Sequence, residues 1–173
     1  EQLYTFGDKG REAPAAALAG GKGERVVSVG YLALAPSPAE LLTADALWAD
    51  WYSYFPWEDW RGGEPPILRD RIMPALDIWA RRGKTADVRE ARKMRVNLSF
   101  GCGGFGWEEE RTLDRYELMY EAGIVIKAWR DRETAGLEPP QGDIPGKGDV
   151  GVPMISDHRR ILATAISRLR GKL

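Results

Sequence analysis

The sequence lacks several features that would narrow its function at once. In 173 residues it has one cysteine, Cys102, and one histidine, His158. An internal disulfide is therefore excluded, and a Ser-His-Asp or Cys-His catalytic set has only one histidine to draw on. No apolar run is long enough to span a bilayer. The formal net charge of −1 gives the chain as a whole no electrostatic match to nucleic acid.

These shortages also bear on location. A single cysteine fits a reducing compartment, and the sequence shows no charged-then-apolar leader of the kind that directs export. We therefore expect a cytoplasmic protein with no membrane contact. The chain begins with Glu1 inside a strand-like stretch and ends on RLRGKL, so we also expect it to be a fragment of a longer protein.

Tryptophan, by contrast, is abundant, and the chain has the length of one domain with a real core. Seven tryptophans are present, and four of them lie in ALWADWYSYFPWEDW (46–60). Such a run usually builds a core or an interface. Glycine and proline gather in three stretches that we expect to be loops, namely 7–24, 61–66 and 136–153.

Two segments have the pattern of β-strands. EQLYTF (1–6) alternates between outward and inward positions, and RVVSVGYLALA (25–35) is an almost continuous apolar run that stops at Pro36. A run of this kind is typical of a strand buried on both faces. The two segments, joined by a long loop, predict an antiparallel pair.

The remaining periodic segments predict helices. In 67–82 Pro74 stands near the first turns, where proline costs least, and 86–100 reads as a basic amphipathic helix. In 155–173 Ser156 or Asp157 can cap the N-terminus. The glycine-rich GCGGFG (101–106) lacks the Lys-Ser/Thr ending of a P-loop, so we expect a flexible turn.

The helix predicted over GWEEERTLDRYELMYEAGI (106–124) allows two interpretations. Its apolar stripe consists of Leu113, Tyr116, Tyr120 and Ile124, and its acidic stripe of Glu110, Asp114, Glu117 and Glu121. Four carboxylates on one side can hold Mg²⁺, which prefers oxygen ligands. They can equally form a solvated face, with Arg111 and Arg115 reducing the repulsion between like charges. Gly123 is placed to end the helix.

Several segments together resemble the Nudix superfamily. EQLYTFGDKGR followed by RVVSVGYLALAP is similar to the strand–loop–strand that follows the Nudix signature helix, and ISDHRRILATAISRLRGKL is similar to the closing helix. WYSYFPWEDWRGG, RIMPALDIWA and WEEERTLDRYELMYEAGIV resemble the Nudix-related NAD regulators of alphaproteobacteria. The resemblance implies a Nudix-like α/β/α sandwich with a mixed sheet, incomplete at the N-terminus. Residues 36–152 would then be a helical, Trp-rich insertion within a single partial domain (1–173).

The acidic helix resembles the family's pyrophosphatase box but differs from it at two critical positions. With Cys102 at the first glycine position, the box positions match at Glu108, Glu117, Leu118, Glu121, Gly123 and Ile124. Tyr116 replaces the box arginine, and Tyr120 replaces the first glutamate of the pair. Because clustered carboxylates hold the catalytic ion, these losses predict no metal site here. We interpret the segment as a packed amphipathic helix, and we assign no catalytic residue.

Four residues are candidate ligand contacts. Arg11 resembles a family arginine near the ligand phosphates, and an arginine suits bidentate phosphate contacts. Phe6 can stack on an adenine or nicotinamide ring, and Asp157 with His158 opens the last helix. Each has a plainer alternative: a loop charge for Arg11, a core aromatic for Phe6, capping and packing for Asp157 and His158.

The resemblance implies a function and partners. We expect a ligand-sensing domain of a transcriptional regulator of NAD metabolism, which binds ADP-ribose or an NAD-related nucleotide without hydrolysis and requires no cofactor. We expect a homodimer, and DNA contact through a winged-helix module absent from this chain. The alternative is a Nudix hydrolase, a Mg²⁺-dependent pyrophosphatase of nucleoside diphosphate derivatives, whose catalytic box we would expect in a missing N-terminal part. A third hypothesis is a plain interaction domain whose Trp-rich segment is a dimer interface. The basic helix 86–95 can face DNA, but the near-zero net charge favours a solvated surface.

Overall fold

The computed structural model describes residues 1–6, 27–37, 48–138, 150–154 and 158–170. These residues form a mixed α/β structure that is mostly helical, with one small antiparallel sheet of two strands. The expected loops over 7–24 and over most of 136–153 lie outside the described residues. Within the described ranges, no helix combines the length and the apolar character needed to cross a membrane.

The two expected strands are present and pair as predicted. Strand β1 is Gln2–Phe6 and strand β2 is Ser28–Tyr31, antiparallel with Phe6 opposite Ser28. The expectation that the second strand is buried on both faces is wrong, because Val29 and Tyr31 are 43% and 70% exposed. Gly30, between them, is buried, and a Cβ on it would lie 3.1 Å from Ile161. The apolar, β-branched composition therefore predicted a strand correctly, but it did not predict how much of the strand is buried. A helix covers one of its faces at this point.

The first long helix begins with a widened turn. Residues Leu68–Ile72 are π-helical and lead directly into helix α2, Met73–Arg81. Pro74 has no N–H to donate, and its ring crowds the carbonyl four residues earlier, so a wider turn before it relieves both problems. The Met73 N–H bonds to the Leu68 carbonyl across this turn. A short helix, α1, Trp51–Tyr54, precedes this region.

Helix α3, Ala86–Phe100, agrees with the predicted range. The Thr85 hydroxyl accepts from the Val88 N–H and caps its start. Gly101 ends it in the left-handed region, at φ 67°, and a Cβ there would lie 2.5 Å from the Trp107 nitrogen. Glycine is therefore required both by the backbone angle and by the close approach. The expected turn over 101–106 follows.

The acidic segment is shorter as a helix than its periodicity predicts. A single 3₁₀ turn, Glu109–Arg111, leads into helix α4, Thr112–Glu121. Gly123, at φ 73°, ends it as expected, since the Ile124 N–H bonds to the Met119 carbonyl and the Gly123 N–H to the Tyr120 carbonyl. Helix α5, Ile126–Thr134, follows at once, and helix α6, His158–Arg170, packs against α4 and β1.

An aromatic cluster from the Trp-rich segment occupies the core. Phe55 and Trp57 are fully buried, and their ring centroids lie 5.3 Å apart. Tyr116 of α4 completes the group, with its ring 5.2 Å from that of Phe55. Of the two expectations for the Trp-rich run, core or interface, this region therefore agrees with the core.

A buried ion pair lies beside this cluster. Glu58 and Arg115 are both fully buried and form a bidentate pair, with Nε–Oε1 at 2.6 Å and Nη2–Oε2 at 3.0 Å. Arg115 also donates to the carbonyls of Ser99 and Glu108, and its guanidinium lies 3.8 Å from the centre of the Trp107 ring. Arg170 of α6 adds a third hydrogen bond to Glu58, at 2.8 Å. The expectation that Arg115 balances surface charge is therefore wrong.

We predict unequal costs for removing the three members of this ion cluster. Arg115→Met leaves Glu58 buried with Arg170 as its remaining arginine partner. We therefore expect a loss of about 3–5 kcal/mol in the free energy of unfolding. Arg170→Gln leaves the bidentate pair intact and costs about 1 kcal/mol. Urea unfolding measures both.

A control comes from an exposed pair on α2. Arg81→Gln removes the ion pair with Asp77 and should change the free energy of unfolding by about 0.5 kcal/mol or less. The interpretation is contradicted if Arg115→Met costs no more than Arg81→Gln.

Candidate functional site

A cleft opens at the start of α6. It has a volume of about 250 Å³ and is lined by Tyr54, Pro153, Met154, His158 and Leu162. His158 is exposed and is the first residue of the helix. One aromatic ring, three apolar side chains and one imidazole form a wall that suits a flat, partly apolar group with a polar edge.

The four predicted ligand residues are only partly placed. Phe6 ends β1, where its backbone pairs with Ser28, and β1 packs against α6, the helix that His158 begins. His158 lines the cleft, so one predicted contact does lie at a concave surface. Arg11 and Asp157 lie outside the described residues. Ser156, the other expected cap, lies outside them as well.

The carboxylates of the box-like helix are held by arginines from other helices. Glu117 accepts from Arg159 of α6 at 3.1 Å, with Arg160 at 3.9 Å. Glu121 pairs with Arg95 of α3 at 2.8 Å. Both glutamates therefore tie α4 to its neighbours. Glu108, earlier in the segment, pairs locally with Arg111.

The two tyrosines that replace box residues take packing positions. Tyr116 is 1% exposed within the aromatic cluster. Tyr120 is half-buried, and its hydroxyl donates to Asp131 of α5 at 2.8 Å. Asp131 also pairs with Lys127, and the Arg159 guanidinium lies 5.3 Å from the Tyr120 ring centre. The interpretation of this segment as a packed amphipathic helix is consistent with these contacts.

Burial keeps both phenols protonated. It raises the pKa of Tyr120 to about 12, with the hydrogen bond to Asp131 as the second cause. Burial likewise raises the pKa of Tyr116 well above its usual range. The Tyr116 hydroxyl and the Trp57 indole nitrogen are buried and have no hydrogen-bond partner among the described residues.

Neither the lone cysteine nor the acidic side chains assemble a reactive centre in the described ranges. Burial raises the pKa of the Cys102 thiol, with a smaller contribution from Glu64, so the thiolate nucleophile is disfavoured. Across the described residues, no group of three or more His, Cys, Asp or Glu side chains is placed to hold a metal ion.

Several residues of the cleft, and the buried Glu58–Arg115 pair, could not be recognised from the sequence. Glu58 and Arg115 are 57 positions apart, and no local periodicity links residues at that separation. Pro153 ends the stretch 136–153 that composition marks only as loop, and Met154 follows it outside any predicted element. Leu162 lies within the last predicted helix, 155–173, and Tyr54 lies in the Trp-rich run, but neither pattern indicates a cleft.

In comparisons with known proteins, no family model and no curated protein matches the chain.

The raised tyrosine pKa values predict a loss of stability in alkali. Above about pH 10 the unfolded chain releases these phenol protons while the folded chain keeps them, so the free energy of unfolding falls as pH rises. This contribution is complete below pH 10 and is lost as pH passes through the folded pKa of Tyr120, about 12. Tyr120→Phe should make the fall shallower in urea unfolding measured between about pH 9 and 12.

A matched control is Tyr31→Phe, which removes an exposed phenol from β2 and leaves the Asp131 hydrogen bond in place. The result that would count against the assignment is an unchanged alkaline slope in Tyr120→Phe.

Proposed function

We propose that this chain is the ligand-sensing part of a regulator of NAD metabolism, with a Nudix-like fold that binds ADP-ribose or an NAD-related nucleotide without hydrolysing it. The observation that carries the proposal is the cleft at the start of α6. It lies where the sequence resembles the Nudix closing helix, and it joins an aromatic side chain, Tyr54, to the only histidine, His158.

The size of the cleft limits which part of the nucleotide enters it. About 250 Å³ is less than the roughly 300–1,000 Å³ of pockets that enclose drug-sized ligands. One ring system, adenine or nicotinamide, is therefore held there, packed on Tyr54 and the side chains of Met154 and Leu162. His158 supplies a hydrogen bond to the ring edge.

The phosphates would lie outside the cleft, along the start of α6. The N-terminal end of a helix favours anions, because its first N–H groups and its dipole point at them. Arg11, which resembles the family's phosphate arginine, is the residue we assign to this role. Phe6 and Asp157 remain candidate contacts of the same ligand.

Binding without hydrolysis is supported by the pairing of Glu117 and Glu121. Each carboxylate pairs with an arginine of another helix, and a glutamate that ties helices together is a poor ligand for a catalytic ion. The other partners follow from the resemblance alone: a second copy of the chain, and DNA contacted through a winged-helix module.

Calorimetric titration with ADP-ribose, in the presence and absence of Mg²⁺, tests the proposal. We expect binding in both conditions and no release of AMP. His158→Ala should weaken binding about three- to tenfold, because a hydrogen bond contributes about 0.5–1.5 kcal/mol. Arg69→Ala, on the exposed π-helical turn, is the control and should bind as the unchanged chain does.

Two results would contradict the proposal in different ways. No binding in either condition would reject both nucleotide hypotheses and favour an interaction domain. Mg²⁺-dependent release of AMP would reject binding without hydrolysis.

A further inference from the structure

Positive charge is concentrated in one short part of the chain. Residues 81–95 contain seven of the 25 lysines and arginines and only two of the 26 acidic residues. This segment therefore carries a charge of +5, and the rest of the chain carries −6. A net charge near zero hides this separation, which is the kind of asymmetry that polyanion-binding proteins show.

The basic segment also projects from the body of the molecule. It comprises the end of α2, a short turn and the first ten residues of α3. Every residue from 84 to 95 is exposed except Arg92, which is half-buried. Burial in α3 is confined to its last turns, at Val96, Ser99 and Phe100. A surface of about 15 Å along the helix axis is therefore accessible to a large partner.

Most of these cations have no acidic partner. Across the described residues, Arg81 pairs with Asp77 and Arg95 with Glu121, whereas the other five form no ion pair: Arg82, Lys84, Arg89, Arg92 and Lys93. Neutralising them by an external anion therefore breaks no internal pair. Two of the five are already ordered, because Arg89 donates to the Gly83 carbonyl and Arg92 to the Trp79 carbonyl.

These contacts define one cationic edge. The Arg89 guanidinium lies at the turn that holds Arg82 and Lys84, and Lys93 stands one helical turn further on the same side. Arg92 lies over the Trp79 ring, 4.3 Å from its centre, on the flank that faces α2. We call the set Arg82, Lys84, Arg89, Arg92 and Lys93 the α2–α3 edge.

The outward side of α3 has a different character. Asp87 and Glu90 lie there, with Ala91 and Met94 between and beyond them. Carboxylates on this side oppose insertion of the helix into the major groove, where bases and phosphates present mostly acceptors. We therefore expect an anion to contact the α2–α3 edge and not the outward side of α3.

We propose that the α2–α3 edge binds the phosphate backbone of double-stranded DNA without reading its sequence. Duplex DNA carries about one negative charge per 1.7 Å of axis, so a rigid edge of this length faces several phosphates at once. The −6 charge of the remaining chain repels DNA elsewhere and orients the molecule. The inference is independent of nucleotide binding in the cleft.

A lipid surface and an acidic protein fit this edge less well. Helices that bind membranes place large apolar side chains next to their basic residues, whereas the exposed apolar residues here, Val88 and Met94, are few and lie off the edge. Acidic protein segments lack the fixed, dense spacing of phosphates, which suits the two ordered arginines of the edge, Arg89 and Arg92.

Fluorescence anisotropy with a labelled duplex of about 24 base pairs and arbitrary sequence tests the proposal, between about 50 and 200 mM salt. We compare the chain with the triple variant Arg82→Gln, Lys84→Gln, Lys93→Gln. These side chains make no polar contact in the described structure, so the fold should persist, and circular dichroism checks it. Arg69→Gln, Arg130→Gln, Arg168→Gln is the control with the same net charge.

We expect the unchanged chain and the control to bind with strong salt dependence and no preference between duplex sequences. The edge variant should bind at least tenfold more weakly at low salt, and the slope of log K against log salt should fall by about 2–3, since each phosphate contact contributes about 0.9. Single variants at Lys84 and Lys93 should each lower the slope by about 1.

Three results would overturn the proposal. The first is no duplex binding by the unchanged chain at low salt. The second is an equal loss in the edge and control variants, which would assign the effect to bulk charge. The third is binding to phosphatidylserine-rich vesicles or to poly-glutamate through the same residues while the duplex does not bind.

Discussion

The Glu58–Arg115 pair is the contact on which the described structure depends. A buried carboxylate is costly unless it is fully hydrogen-bonded, and this one receives three hydrogen bonds from two arginines. The Nη1 group of Arg115 donates to the carbonyls of Ser99 and Glu108. One charged cluster therefore joins the Trp-rich segment, the end of α3, the start of α4 and the end of α6. Aromatic packing fills the space around it but does not fix which elements meet there.

The two ends of α6 therefore have different surroundings. Arg170 at its C-terminal end bonds to Glu58, and His158 at its N-terminal end lines the cleft. Between them, Arg159 holds Glu117 of α4, and Ile161 packs on Gly30 of β2. A ligand in the cleft would therefore contact the same helix that completes the buried ion cluster. Glu121, one turn after Glu117 on α4, pairs with Arg95 and so ties α4 to α3, the helix that carries Arg89, Arg92 and Lys93 of the α2–α3 edge.

Local patterns predicted local structure well. The range of α3, the helix stop at Gly123 and the pairing of the two strands all follow from periodicity, capping and glycine chemistry. Burial of β2 and the role of Arg115 did not follow, because each depends on what a distant segment places nearby. The same limit applies to the candidate site: His158 stood out as the only histidine, whereas Tyr54 and Met154 meet it only in three dimensions. The charge of the basic helix was visible in sequence, but its projection from the body was not.

Native-state hydrogen exchange on the chain and on Arg115→Met tests the central role of the ion pair most directly. If Glu58 and Arg115 join the Trp-rich segment, α4 and α6 into one cooperative unit, the amides of all three should lose protection together in the variant, by a similar free energy. Loss of protection confined to residues near Glu58, with α4 and α6 protected as before, would contradict the account.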